Sequence, residues 1–192
     1  MYDLVLSKMD AYYPLSEACQ QDLMSLFKYS TIKKDDYLLR MGTVPGYYYF
    51  IVKGLFAYYY IAANGDVIIK KFFAENSFVA STSALIEQKP GLFSIVALED
   101  AEYIRFAAKE FRDLFRKHHD LAMFQINYLE KNWIVDKENG EISLKYETAK
   151  ERYIQFLETY HDIQGRIKLH HIASFLGITP TQLSRIRKDM DF

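Results

Sequence analysis

The sequence holds a single cysteine, Cys19, in 192 residues. An internal disulfide framework is therefore excluded, as is any multi-cysteine metal or iron–sulfur centre within one chain. Long apolar runs are missing too, and none approaches the roughly 18 residues of a membrane span. The start, Met1-Tyr-Asp-Leu-Val-Leu-Ser7, lacks the layout of a signal peptide. These absences favour the cytoplasm and no membrane partner. No nucleophile–base pairing, phosphate loop or metal-ligand spacing stands out, so the chain is not read as an enzyme and no metal or cofactor is expected. His170 and His171 are adjacent, which points them in different directions on a helix.

Half of the residues are apolar and 26% are charged, ordinary for a globular protein with one large domain or two small ones. The net charge of −1 does not by itself suggest a nucleic-acid partner, but its distribution is uneven. From Arg166 onward, Arg166, Lys168, Arg185, Arg187 and Lys188 outweigh Asp189 and Asp191 by +3, which leaves about −4 for the rest. A basic end on an acidic body is the polarity of a DNA-reading module attached to something else.

That basic end is also the best-patterned segment. Leu169, Ile172, Ala173 and Leu176 repeat at helical spacing, and Gly177 offers the backbone freedom of a helix exit. Thr179 caps a second helix, Pro180 suits its first turn, and Gln182 completes a capping box. Leu183, Ile186 and Met190 form the buried stripe of that helix. Thr181, Ser184, Arg185 and Lys188 form its outer face, with Gln182 and Arg187 flanking. Ala173, Gly177, Leu183 and Ile186 match the helix-turn-helix spacing at every pinned position, and such a helix can read base edges in a major groove. A structural helical hairpin with a solvated polar face is the plainer alternative.

Upstream, Tyr37–Arg40, Tyr47–Val52, Leu55–Ala62, Val67–Phe73, Phe93–Leu98 and Glu102–Phe106 are β-favouring runs separated by turn signals, among them Lys53-Gly54 and Asn64-Gly65. They predict a compact β-barrel or roll. Tyr47-Tyr48-Tyr49 and Tyr58-Tyr59-Tyr60 suit strands with alternate residues in the core better than a base-stacking platform. Helices are predicted over residues 14–30, near Phe111–Phe115, over 120–142 and over 147–161. In the long one, Leu121, Phe124, Tyr128, Val135 and Ile142 trace a heptad-like seam containing Asn132 and Asn139, beside a second stripe of Ala122, Ile126, Leu129 and Trp133. Two stripes imply two partners, the chain's own β-domain and the same helix of a second copy, and the seam is assigned to the copy. A monomeric helix covered on both sides is the alternative. Gly140 marks a hinge.

Taken with Tyr49-Phe-Ile-Val-Lys-Gly54, the Asn64-Gly65 hairpin and Glu75-Asn-Ser-Phe-Val79, this order of elements resembles the Crp/Fnr superfamily of transcription regulators over nearly the whole chain. The resemblance implies an α+β fold: an N-terminal cyclic-nucleotide-binding-like jelly roll (1–119), a dimerisation helix and hinge (120–145) and a helix-turn-helix domain (146–192). It also implies an effector pocket around Phe78, Ala80, Ser81, Thr82, Ser83, Leu92 and Phe93. Family members that bind cyclic AMP hold its phosphate with Gly-Glu and, further on, Arg-Ser. Here the matching steps read Ala80-Ser81 and Gly91-Leu92, and no arginine lies between Lys71 and Arg105. A cyclic phosphate needs an ionic partner, and Lys89 is the only cation in that stretch, so cyclic AMP is not expected. All five histidines lie at position 118 or beyond, so haem ligation from the roll is not expected either. The chain stops four residues past Lys188 without the family's β-hairpin wing, so fewer phosphate contacts are expected.

The reading is a homodimeric DNA-binding regulator with a non-consensus pocket. Its DNA contacts are Thr179, Thr181, Gln182, Ser184, Arg185, Arg187 and Lys188, and its dimer contacts are Leu121, Phe124, Tyr128 and Val135. Double-stranded DNA, a second copy and RNA polymerase are the partners considered. The alternative is a ligand- or protein-binding sensor whose terminal helices do not read DNA.

Overall fold

The computed structural model describes residues 1–135 and 146–190. Two four-stranded antiparallel sheets face each other across an aromatic core. One runs β1 (Lys28–Ile32), β8 (Ala101–Ala107), β3 (Tyr47–Lys53), β6 (Phe78–Val79); the other runs β2 (Tyr37–Leu39), β7 (Ser94–Ala97), β4 (Phe56–Ile61), β5 (Val67–Phe73). Between them Tyr49, Ile51, Phe56, Tyr58, Phe73 and Ile95 are buried together, so both tyrosine triplets contribute to the core. Each of the six predicted runs holds a strand. The missed strands are β1, which the helix predicted over 14–30 had absorbed, and β6, too short for a two-residue period to register.

Asn64-Gly65 does connect β4 to β5, with a difference in detail. Only Gly65 has positive φ (88°), and the Gly65 N–H donates to the Ala62 carbonyl at 2.9 Å. That is a type I turn closed by a glycine bulge rather than a two-residue turn. Gly54 (φ 113°), between β3 and β4, has a different reason to be glycine. A Cβ there would lie 2.4 Å from that of Ala101, well inside contact distance.

Helix α1 (Tyr2–Asp10) escaped the sequence reading; it buries Val5, Leu6 and Met9 against the roll. Helix α2 (Glu17–Leu26) is shorter than predicted, capped by Ser16 and ended by the entry into β1. After α3 (Thr82–Glu87) and β7–β8, α4 (Ala108–Asp113) and a 3-10 turn (Leu114–Arg116) lead into α5 (His119–Leu129), which continues as a π-helical turn (Glu130–Ile134). Asn139, Gly140 and Ile142 lie outside the described residues.

The stripe of α5 assigned to a second copy packs on the chain's own roll instead. Leu121 and Phe124 are buried in the chain's own core, and Tyr128 packs edge-on to Phe78 while donating to the Phe78 carbonyl at 3.3 Å. Asn132 bonds Tyr12, just beyond α1, and the Tyr128 carbonyl. The seam assigned to a partner chain therefore covers the roll, because Phe78 of β6 and Tyr12, just beyond α1, present rings that pack on Phe124 and Tyr128. Val135 is exposed, as are Ile126 and Ile134.

The C-terminal part comprises α6 (Ala149–Thr159), a 3-10 turn (Gln164–Arg166), α7 (Leu169–Leu176) and α8 (Pro180–Lys188). It docks on β5, the edge strand of its sheet. Ser174 of α7 accepts from Ile69 N–H (3.1 Å) and donates to the Val67 carbonyl, and Tyr160 Oη accepts from Phe72 N–H (3.4 Å). These side chains satisfy edge groups that a free strand would leave open. Phe72 packs on Phe156, Tyr160 and Phe175, so one apolar cluster spans sheet and helices. Among the described residues no helix is long and apolar enough to cross a membrane.

Candidate functional site

The helix-turn-helix takes the form read from its spacing. Gly177 exits α7 at φ 68°, with Ile178 N–H donating to Ala173 (3.0 Å) and Gly177 N–H to Ser174 (3.2 Å), the paired bonds of a Schellman stop. Arg152 of α6 adds a bond to the Leu176 carbonyl at 3.1 Å. Thr179 and Gln182 form the capping box that starts α8. Ile172, Ala173, Leu176 and Leu183 are buried between the helices, and Ile186 and Met190 pack at the margin. Leu169 departs from the predicted apolar face; it is 47% exposed at the first position of α7.

On α8 the side chains of Thr181, Ser184, Arg185 and Lys188 are exposed, as are Thr179 and Gln182 at its start. Two predicted contacts are constrained. Gln182 Oε1 accepts from both Thr179 N–H (2.8 Å) and Thr179 Oγ1 (3.1 Å), so only its amide NH₂ remains for a base. Arg187 is half-buried, and its Nε has no hydrogen-bond partner among the described residues. Arg166 leaves the basic face altogether, since its guanidinium is bound by Glu75 and Glu99.

Several of the expected effector residues pack tightly on their neighbours. Tyr58 Oη and Ser81 Oγ are 3.2 Å apart, and Tyr58 stacks on Phe93 with centroids 4.5 Å apart. Burial pushes the Tyr58 phenol up, so it stays a neutral hydrogen-bonding group. Phe78 fills space against Phe50 and Phe124. Ala80 and Ser81 are buried, Thr82 is half-buried and Ser83 is exposed. Leu92 is corrected outright: at 66% exposure it faces solvent rather than the pocket. Between Phe78, Ala80 and Thr82 on one side and Phe124, Gln125 and Tyr128 on the other, the cavity is about 20 Å³. That is room for about one water.

Sequence reasoning missed two features here. Lys70 of β5 lies 5.0 Å from the Phe93 ring and 5.9 Å from those of Tyr58 and Trp133, so a cation reaches this region from a strand outside the phosphate-loop stretch. A larger cavity of about 180 Å³ opens between α1, the β5–β6 turn and the π-helical turn, lined by Lys8, Tyr12, Lys71, Asn76, Asn132 and Trp133. No local sequence pattern joins these residues; they meet only in the fold.

Comparison with known proteins agrees with this architecture. Residues 30–118 match the cyclic nucleotide-binding domain family. No curated protein matches the chain by sequence. Among solved structures, FixK2 of Bradyrhizobium japonicum superposes with a TM-score of 0.73 at 17% identity, covering 86% of this chain and 84% of that one. The c-di-GMP-responsive global regulator CLP of Xanthomonas campestris gives 0.68 at 13% identity, covering 89% of each chain. The Thermus thermophilus catabolite activator protein gives 0.55 at 17% identity, covering 89% and 83%. Residues 30–118 thus resemble the cyclic nucleotide-binding domain family, and the chain carries the fold of the Crp/Fnr regulators.

Proposed function

We propose that this chain is a homodimeric, DNA-binding transcription regulator of Crp/Fnr type whose effector pocket does not take cyclic AMP. The observation that carries the reading is α8: a helix started by a capping box and anchored by buried Leu183, with Thr181, Ser184, Arg185 and Lys188 exposed on its outer side. Such a helix can enter a major groove, with Arg185 reading bases and Lys188 gripping phosphate. The module spans 146–192, the roll 1–119, and 120–145 joins them. Dimerisation through α5 uses Ala122 and the exposed Ile126, continued by the exposed Ile134 and Val135. DNA and a second copy are the partners, and RNA polymerase is one further partner in the cytoplasm; no catalytic role is proposed.

The competing reading is a sensor module that does not read DNA. Its support is the docking of α7 on β5, which ties the helices to the roll. Selection of binding sites from random duplex DNA separates the two. Enrichment of a two-fold symmetric site by the wild-type chain supports the regulator, and no enrichment supports the sensor.

A further inference from the structure

Side chains from two segments remote in sequence converge where α2 meets the start of α5. The Cys19 sulfur, a ring nitrogen of His118 and a carboxylate oxygen of Asp120 all lie within 4.8 Å of one another. Cys19 is fully buried and His118 is 7% exposed. The Cys19 thiol has no hydrogen-bond partner among the described residues, although it faces two groups able to accept.

The surroundings hold these donors in place. His118 Nε2 lies 2.7 Å from Asp22 Oδ2, and Asp22 is also paired with Lys117. With the Nε2 proton donated to that carboxylate, Nδ1 keeps its lone pair. A carboxylate on one ring nitrogen is how ligating histidines are commonly oriented toward a metal on the other. Asp120 Oδ2 accepts from Ser16 N–H at 2.7 Å, and Ser16 Oγ accepts from Cys19 N–H at 3.3 Å, so the two helix starts are locked to each other.

We propose that Cys19, His118 and Asp120 form a site for one divalent transition-metal ion of the zinc class, with Asp22 orienting the histidine. Sulfur, nitrogen and oxygen donors together suit zinc, whereas magnesium and calcium select oxygen alone. Binding forms a metal–sulfur bond, and the thiol proton leaves to solvent; three protein ligands leave a fourth position for water. The ion would tie α2 to α5, the helix that runs from the roll toward the C-terminal domain. The sequence reading expected no metal because the ligands come from two segments whose proximity only the fold creates.

Cobalt(II) is the probe, because a thiolate ligand gives it a near-ultraviolet charge-transfer band and four-coordination gives intense visible bands. The full chain, stripped with chelator and carrying His170→Gln and His171→Gln to remove the adjacent histidine pair of α7, is titrated with cobalt and then zinc. One equivalent of cobalt should produce both sets of bands, and zinc should abolish them. Cys19→Ser should remove the charge-transfer band, His118→Ala should weaken zinc binding at least tenfold, and Asp22→Asn should weaken it about 10–100-fold. Absence of the thiolate band at stoichiometric cobalt, or zinc affinity unchanged in Cys19→Ser, overturns the proposal. Should a variant fail to fold by circular dichroism, the cobalt spectrum of the Cys19-containing chain decides alone.

Discussion

Arg166 and Glu75 form a two-pronged ion pair, Nη1 to Oε2 at 2.9 Å and Nη2 to Oε1 at 3.0 Å, that bridges the C-terminal domain and the β-roll. Glu99 holds the same guanidinium, and Glu75 Oε1 also accepts from Gly54 N–H at 2.8 Å. The bridge thus ends on a turn whose glycine cannot be replaced without a clash. Arg166→Ala should loosen the docking of α7 on β5 at a cost on the order of 1 kcal/mol, since all three side chains are about one-third exposed. Hydrogen exchange should rise at Ile69 and Phe72 N–H, the β5 groups held by Ser174 and Tyr160. Unchanged protection there would show that the apolar cluster alone holds the domains.

Two groups set separate acid windows. Burial, with the charges of His170 and Lys168, pushes His171 down to about 4, so the folded chain keeps it neutral while the unfolded chain protonates it near the ordinary value of 6.5. Its contribution is complete above 6.5 and is lost as pH falls toward 4. Burial opposes the ionisation of Glu75, but the Arg166 bond and Gly54 N–H outweigh it and hold the carboxyl near 2. That contribution is complete above about 4.5 and is lost between there and 2. Denaturant midpoints should therefore fall in two stages. His171→Gln should flatten only the upper stage and Glu75→Gln only the lower.

On α8, Arg185→Ala should cost about 1–3 kcal/mol of specific DNA binding with the fold intact. Leu183→Ala is the contrasting variant: it empties a fully packed position and should cost about 2–5 kcal/mol of stability. Electrophoretic mobility shifts on a selected site, beside thermal melts, resolve the two. Equal DNA affinity for Arg185→Ala and wild type would remove this helix as the reader.

The dimer prediction rests on the outer stripe of α5. Ile126→Glu, at a position 46% exposed, should leave a folded chain of 22.6 kDa where the wild type runs at twice that mass by light scattering. Phe124→Glu should instead unfold the roll, because Phe124 is 2% exposed. A monomeric wild type would sink the stripe as an interface.

Calorimetric titration with cyclic AMP should show no saturable heat at micromolar concentration. The Tyr58–Phe93 stack and the Tyr58–Ser81 bond tie up Phe93 and Ser81, two of the residues expected to line the effector pocket. Burying a hydrated anion there requires donors that replace its water. Saturable binding would mean that Phe93 swings out and that Lys70, near the same rings, supplies the missing charge.

The sequence by itself determined the terminal module almost residue by residue. Caps, turn and helix core depend on neighbours within a few positions, so Thr179, Gly177 and Leu183 carry their own instructions. It determined the six main strands for the same reason, through a two-residue period and turn residues. Only the tertiary structure decided which stripe of α5 the roll would claim, since Leu121 and Ile126 look alike until α1 and Phe78 are in place. Likewise it alone decided that Arg166 would serve the domain interface rather than the basic face, that Tyr58 would stack on Phe93, and that Cys19 would meet His118. Those outcomes turn on contacts between segments distant in the chain. Local patterning says which residues must be buried or paired, and packing in three dimensions chooses their partners.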